Sequence, residues 1–525
     1  MYWRGWGDPA HAAPLPESVV ELLRQALGVR PATPPVELGD VELPEPSLPG
    51  PAYEALADSV GAEQVLTDAE SRIRHTRGKS TVDLLRIRGG DAAGAPDAIV
   101  LPGSHDEVMS ALEACARHRV AVVPFGGGTS VVGGLAPLAR SYAGVIAMDL
   151  RRMNRLVDFD LESRLATLEP GLLAPRAEEL LREHGFTLGH FPQSYEWASV
   201  GGFAATRSSG QASAGYGRFD ELVVQIQVAA PTGTLSLGRA PRSAAGPDLR
   251  QLILGSEGVF GVITSVTVQV RPAPEVGAYD GWQFASFAAG TAAIRRLAQD
   301  GPLPAVLRLS DEAETALGLA DPAHVGRVTA APGCLLIAGY EGQASAVAAL
   351  RMDVAAVLGP AGGEHLGTEP GERWAAGRFA APYLRDALLD VGAFAETLET
   401  ATFWSNVPRL YAAVRDALTR TLTEQGAPPL VLCHVSHVYP AGASLYFTVV
   451  CAQRGDPVAQ WRQAKSAAGD AITAAAGTIS HHHGVGTDHR DWLVGEIGPL
   501  GIELLRAIKD RLDPVGILNP GVLIP

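Results

Sequence analysis

Cysteine is scarce in this chain: Cys115, Cys334, Cys433 and Cys451 are the four among 525 residues. They are scattered and none forms a CxxC pair, which argues against both a zinc ribbon and a disulfide framework. No apolar run reaches the roughly 20 residues of a membrane-spanning helix. The opening MYWRGWGDPAHAAPLPESVV has no apolar signal core, and the closing GVLIP is not a peroxisomal SKL-type signal. A cytoplasmic protein is the expectation. Basic residues are outnumbered, 42 Lys and Arg against 57 Asp and Glu, for a net charge of −15. That balance argues against nucleic acid or an anionic membrane as the main partner. No internal repeat is present. Two phosphate-binding signatures are missing as well. No Gly-Lys-Ser/Thr follows the one long glycine run, and counting GxGxxG from Gly126 puts Val131 in the sixth place.

What is present is a globular composition, 46% hydrophobic and 19% charged. At this length a single compact core is not expected, so two or more domains are. Residues 1 to about 70 are Pro-rich and weakly periodic, and PATPPVELGDVELPEPSLPG reads as an extended arm. A denser α/β pattern begins near PDAIVLPGSHDEV, where Ser104 and Glu107 form a capping box ahead of a helix. Strands are expected at Ala98–Leu101, Ala121–Val123, GVIAMDL, RLATLEPG, ELVVQIQVAA and GVITSVTVQV, with a helix over APRAEELLREHG. After Pro272 helical stretches such as SAVAALRMDVAAVLG alternate with β runs such as ASLYFTVVCA, a second α+β domain. The expected division is an arm and helical segment over 1–90, one α/β domain over 91–272, a second domain over 273–480, and a closing segment over 481–525.

Four loops of small and polar residues punctuate the first domain. VVPFGGGTSVVGG places glycines directly after a strand, where backbone N–H groups can approach an anion such as a diphosphate. QSYEWASVGG, TRSSGQASAGYG and GSEGVFGVIT follow it. Any one of them is ordinary turn chemistry. Four in one α/β domain suggest one large extended cofactor.

In this order the loops resemble the FAD domain of the vanillyl-alcohol oxidase/PCMH flavoprotein superfamily. The joint occurrence of RGWG, RGKSTVDLLRIR, LRLSD, APYLRD, HVYPAGASLYF and SHHHGVG is similar to its alkyldihydroxyacetonephosphate synthase (alkylglycerone-phosphate synthase) branch, over nearly the whole chain. The resemblance implies an α+β fold: a PCMH-type FAD-binding domain of two α/β subdomains, and a substrate domain built on an antiparallel sheet. It implies FAD contacts from Pro124, Phe125, Gly126, Gly127, Gly128, Thr129 and Ser130 around the diphosphate. Gln193, Ser194, Ser199, Thr206, Arg207, Ser208 and Ser209 would line the ribityl chain and flavin, and Glu257, Gly258, Val262 and Ile263 the adenosine side. Thr129 stands where covalent members carry a histidine, so non-covalent FAD is expected. The family's GHEPDS reads GHFPQS here: Phe191 and Gln193 replace two carboxylates, while His190 remains for substrate.

TISHHHGVG holds three adjacent histidines, His481, His482 and His483. Crowded imidazoles are hard to protonate. A metal site, a proton-handling site and a surface tag are the three readings the residues leave open. Hydroxy-acid dehydrogenases of the superfamily carry a glutamate where His482 stands and a Gly-Asp-Gly-Asn that is missing here. The resemblance therefore favours proton handling without a metal, though the ILNPG tail is shared with those dehydrogenases. Tyr439, in VYPAG, matches the synthase acid/base tyrosine. On an extended strand His437 and Tyr439 would share one face and reach one cavity. Arg385, in APYLRD, matches an arginine implied to grip substrate phosphate, and Arg308 one beside the flavin.

The implied reaction exchanges the acyl group of acyl-dihydroxyacetone phosphate for a fatty alcohol through a flavin N5 adduct, with no net redox change. The alternative is FAD-linked oxidation of a 2-hydroxy acid or alcohol. The implied partner is a lipid-like phosphorylated small molecule, with no nucleic acid. Peripheral membrane contact and a homodimer are compatible with this reading.

Overall fold

Three buried runs, AIV, VAVVPF and GVIAMD, meet as neighbours in the first of three main sheets. In a computed structural model of the chain, which describes residues 1–136, 141–318 and 333–525, the strand order is Val65–Leu66, Ala98–Val100, Gly144–Asp149, Val120–Phe125. The last three are parallel and nearly continuously apolar, as strands covered on both faces must be. Helix His105–His118 supplies the crossover. Ser104 caps it, its hydroxyl accepting from Glu107 N–H at 3.1 Å. The reciprocal half of the expected capping box is displaced by one residue. The Glu107 carboxylate accepts from Gly103 N–H at 2.7 Å, where Arg152 also reaches it at 3.2 Å.

The second sheet is antiparallel, in the order Leu156–Asp160, Leu165–Leu168, Val262–Gln269, Val223–Ala230, Gly233–Leu237. Its inner face packs Leu168, Ile226 and Val266 against Leu181 and Phe203 of two short helices. The third has seven antiparallel strands: Glu364–Gly367, Val276–Phe284, Cys334–Gly342, Val306–Ser310, Leu430–Val438, Gly442–Ala452 and Ala393–Phe403. Helices Phe287–Asp300, Ala344–Leu358, Val407–Glu424 and Pro457–Ala474 cover one face. They bury Ile294, Val354, Leu418 and Trp461 with Phe284, Leu336 and Phe447 of the sheet. Each such side chain contributes on the order of 2 kcal/mol of burial. The opposite face meets the loops of the first two sheets, and the main cavity lies along that seam.

The stretch PATPPVELGDVELPEPSLPG is free of α-helix up to Pro49, as its prolines suggest, with one 3₁₀ turn at Leu38–Asp40. Helices Glu17–Leu27 and Gly50–Val60 flank it. The first packs Leu23 and Leu27 against Leu388 and Val450 and ends at Gly28 in the left-handed region, φ 64°. Its apolar residues Val19, Leu23 and Leu27 repeat at i, i+4 and i+8, and tertiary contact stabilises so short a helix. The end of the chain returns to the first sheet, where Val122 N–H donates to the Ile517 carbonyl and Asn519 N–H to the Val122 carbonyl, both at 2.8 Å.

Candidate active site

The loop after strand Val120–Phe125 sets the floor of a cavity of about 380 Å³. Gly127 packs its backbone on the next loop so closely that a Cβ there would run into the Trp197 carbonyl, and Gly128 turns with φ 72°. The N–H groups of Gly127, Gly128, Thr129 and Ser130 donate to no acceptor among the described residues. Consecutive unpaired amides lining a cavity are a seat for an oxyanion, and a diphosphate suits one of this length.

The cavity wall continues through Pro124, Phe125, Gly126, Gln193, Ser194, Ser199, Thr206, Ser208, Ser209, Glu257, Gly258 and Ile263. Two residues assigned to the cofactor stand elsewhere. Arg207 closes helix Val200–Thr206 in the left-handed region and donates to the Leu254 and Gln251 carbonyls, each at 2.8 Å. Val262 is fully buried in a hydrophobic core. Glu257 lines the cavity and also holds the histidine segment, because its carboxylate accepts from Val485 N–H at 2.9 Å and Gly486 N–H at 3.0 Å. Burial pushes its pKa up to about 7 against those bonds. Asn519 ties the same region together, its side chain donating to the Gly134 carbonyl at 3.0 Å and the Glu257 carbonyl at 2.7 Å.

Across from the glycine loop stand the histidines. The expected strand alternation fails between Val435 and Val438, where the register with the neighbouring strand shifts. A bulge puts two residues against one and re-aims side chains. His434, Ser436 and His437 consequently all line the cavity, while Tyr439 lies beyond the strand end and does not. It reaches the cavity through others. Tyr439 Oη is 2.6 Å from His481 Nε2, and His481 Nδ1 is 3.0 Å from His482 Nδ1. His482 and His483 line the cavity and His481 is buried behind them. His437 stacks on His481 with ring centroids 5.0 Å apart, its Nδ1 2.7 Å from Ser213 Oγ.

Burial drives the pKa of His437, His481 and His482 down, with Arg218 adding to the effect, so near neutrality the rings are uncharged. Burial raises the pKa of the Tyr439 phenol, and Arg218 pulls against that rise. His190 sits one layer back, with Nε2 3.0 Å from Ser208 Oγ, and burial takes its pKa down to about 3.

The two arginines differ in setting. Arg308 lines the cavity and is held by the Glu314 carboxylate and by His434, whose Nε2 is 2.8 Å away. Burial would raise the Glu314 pKa, but His434 and Arg308 outweigh it and bring it to about 2. Arg385 lines the cavity too, yet two of its nitrogens contact Asp386, at 3.2 and 3.1 Å. A third donates to the Lys79 carbonyl at 2.5 Å. Five N–H donors leave the guanidinium two for an anion.

Sequence reasoning passed over Glu314, His434, Tyr446, Glu399 and Trp6. Tyr446 lies inside HVYPAGASLYF and Trp6 inside RGWG, each without a role attached, and His434 stands three residues ahead of the first motif. A single glutamate on a buried strand or a one-turn helix carries no periodic signal, so Glu399 on strand Ala393–Phe403 and Glu314 on helix Glu312–Ala316 had none. One geometric fact also bears on the expectation of no metal: ligand nitrogens of His437, His481 and His482 lie within 4.8 Å of one another.

Residues 96–237 match the family described as "FAD binding domain", and residues 273–523 match "FAD linked oxidases, C-terminal domain". An alkyldihydroxyacetonephosphate synthase of Dictyostelium discoideum is 34% identical over 482 residues, 88% of this chain and 79% of that one. A solved alkyldihydroxyacetonephosphate synthase superimposes with a TM-score of 0.83 at 30% identity, covering 99% and 98% of the two chains. A p-cresol methylhydroxylase structure with substrate bound, TM-score 0.70 and 18% identical over 90% and 95%, shares the fold. The architecture is thus α+β, a PCMH-type FAD-binding domain joined to an antiparallel-sheet domain of the FAD-linked oxidase type, and FAD is the cofactor. Among the described residues no helix is long and apolar enough to cross a membrane.

Proposed function

Because this chain belongs to the alkyldihydroxyacetonephosphate synthase family, we propose that it forms an ether bond by exchanging the acyl group of acyl-dihydroxyacetone phosphate for a fatty alcohol. The fatty acid departs with its own two oxygens, the alcohol oxygen bonds to the vacated carbon, and the alcohol proton is released. No electrons are gained or lost. FAD, held non-covalently with Thr129 in the glycine loop, supplies covalent catalysis when bound.

The residues of this chain bind and move protons. The unpaired amides from Gly127 to Ser130 would seat the diphosphate of the cofactor. Arg385 offers its two remaining donors to the substrate phosphate, with Asp386 fixing the plane of the fork. The hydrogen bonds joining Tyr439, His481 and His482 support this reading most directly. A neutral imidazole has one donor and one acceptor nitrogen. The chain therefore has two settings. In one, Tyr439 donates to His481, His481 to His482, and His482 Nε2 keeps a hydrogen. In the other every bond is reversed, and His482 Nε2 presents a lone pair that can take the alcohol proton. Switching settings carries one proton from the cavity to the Tyr439 oxygen, which stays a neutral phenol by giving up to the surrounding water the hydrogen it had turned away from His481.

Substrate-dependent bleaching of the flavin spectrum tests the proposal. Bleaching is expected with acyl-dihydroxyacetone phosphate and not with a panel of hydroxy acids. The reverse pattern would favour the second reading, an FAD-linked oxidation. The three imidazoles within 4.8 Å support that second reading, since they could hold a divalent ion.

A further inference from the structure

We propose that Glu399 is the positioning residue of the histidine triplet. Its buried carboxylate folds Ser480–His483 around itself and supplies the negative charge against which the triplet can accept a proton. The inference rests on the proton-handling reading above and adds a residue to it.

Glu399 lies on strand Ala393–Phe403, directly opposite Tyr446 in the register. It is 1% exposed. Four donors converge on its two oxygens: Ser480 Oγ at 2.7 Å, and the backbone N–H groups of His481 at 2.6 Å, His482 at 3.1 Å and His483 at 2.9 Å. Three successive amides wrapped on one anion fix the path of the loop. They thereby set where His481 meets Tyr439 and where His482 meets the cavity. A buried, uncompensated carboxylate would be costly, and these donors compensate it.

Holding the loop does not by itself require a charge. The charge has a second consequence. The carboxylate lies 3.6 Å from His482 Nδ1 and 3.9 Å from His483 Nδ1. Among the described residues no other carboxylate pairs with a ring of the triplet. The Tyr439 oxygen can accept from a protonated His481 but carries no charge, and the cationic and imidazole groups packed there oppose a proton. The rings oppose one another, Arg218 donates to the His481 carbonyl at 3.0 Å, and His437 and Tyr446 approach from the neighbouring strands. On the far side of Glu399, Lys465 pairs with Asp488 at 2.8 Å, and His489 turns its Nδ1 to the Gly484 carbonyl. Glu399 is accordingly the group that makes a charged imidazole attainable during turnover.

The test compares Glu399→Gln, Glu399→Asp and Ser480→Ala in the FAD-loaded full chain. Glu399→Gln is expected to lower kcat on the order of 100-fold, with KM and flavin retention little changed. It should also move the acid limb of the kcat profile down by about one pH unit. Glu399→Asp should recover part of both. Ser480→Ala removes one donor but no charge and should leave the limb in place. The same midpoint can be read without turnover, from ¹⁵N NMR titration of the histidines. A failed exchange assay with a shifted His482 midpoint would therefore sink the proposed function and not this inference. An unshifted midpoint in Glu399→Gln would overturn the inference. So would equal damage from Ser480→Ala, or flavin loss in Glu399→Gln and Glu399→Asp alike, either of which would reduce Glu399 to scaffolding.

Discussion

Tyr439, His481 and His482 share two hydrogen bonds in series, so a break at either end interrupts the same path. Tyr439→Phe keeps the ring packing and removes the hydroxyl. Its kcat is expected to fall between about 10² and 10⁴-fold with FAD still bound. His482→Ala should fall comparably, and the double variant should be little worse than either single one, because groups acting as a unit are not additive. Full additivity in steady-state kinetics would contradict a single chain. Arg385→Lys is expected to weaken phosphorylated substrate by about 1.5–3 kcal/mol while leaving FAD affinity alone. Normal substrate binding by that variant would leave Arg385 as a residue that only pairs with Asp386. At this scale the sequence was partly legible. Three adjacent histidines and a tyrosine in VYPAG stand out as letters. The carboxylates beside the buried histidines do not, because Glu314, which meets His434, and Glu399, which meets the triplet, sit in ordinary helix and strand contexts and reach their partners only through the tertiary fold.

Among the elements, the segment after His483 is clasped between glycine loops. Glu257 takes its amides, and Asn519 binds the carbonyls of Gly134 and Glu257. Asn519→Ala removes two buried hydrogen bonds at once, a loss on the order of 2 kcal/mol. Weaker FAD binding is the expected result, measured by flavin fluorescence on titration. Unchanged affinity would show that the clasp does not shape the cofactor site. The strands and helices of this region were readable because their apolar runs are bounded by Gly, Pro and capping residues. Two features were not. The bulge between Val435 and Val438 leaves no mark in the composition of CHVSHVY, and it decides that His434 and His437 share a cavity. Helix Glu17–Leu27 carries an apolar stripe, Val19, Leu23 and Leu27 at i, i+4 and i+8, which the surrounding prolines overshadow in composition, and it docks that stripe on its neighbours.

Across the whole molecule, seven histidines among the described residues have a pKa lowered by the fold: His190, His434, His437, His481, His482, His483 and His489. For each, the unfolded chain takes a proton near pH 6.5 while the folded one does not. Folding therefore loses stability as pH falls below that value. Glu257, with its pKa up at about 7, and Asp311, up at about 6, act in the opposite sense, as do the raised carboxyls of Asp83, Glu178 and Glu396, and the seven histidines outnumber them. A lower melting temperature at pH 5.5 than at pH 7.5 is expected, and an equal or higher one would contradict the neutral, buried state of the cluster. Flavin should come off with the acid-denatured protein's supernatant, whereas flavin retained in the precipitate would contradict the non-covalent assignment.

The most direct test of the account is the stoichiometry of the exchange itself. Purified protein is supplied with acyl-dihydroxyacetone phosphate, a fatty alcohol, an electron-acceptor dye and a chelator, and its metal content is measured beforehand. The expected result is one fatty acid released per ether formed, no dye reduced, no stoichiometric metal, and a rate indifferent to the chelator. Dye reduction by a hydroxy acid, with one bound metal per chain whose removal stops turnover, would contradict the ether-forming reading and replace it with the oxidative one.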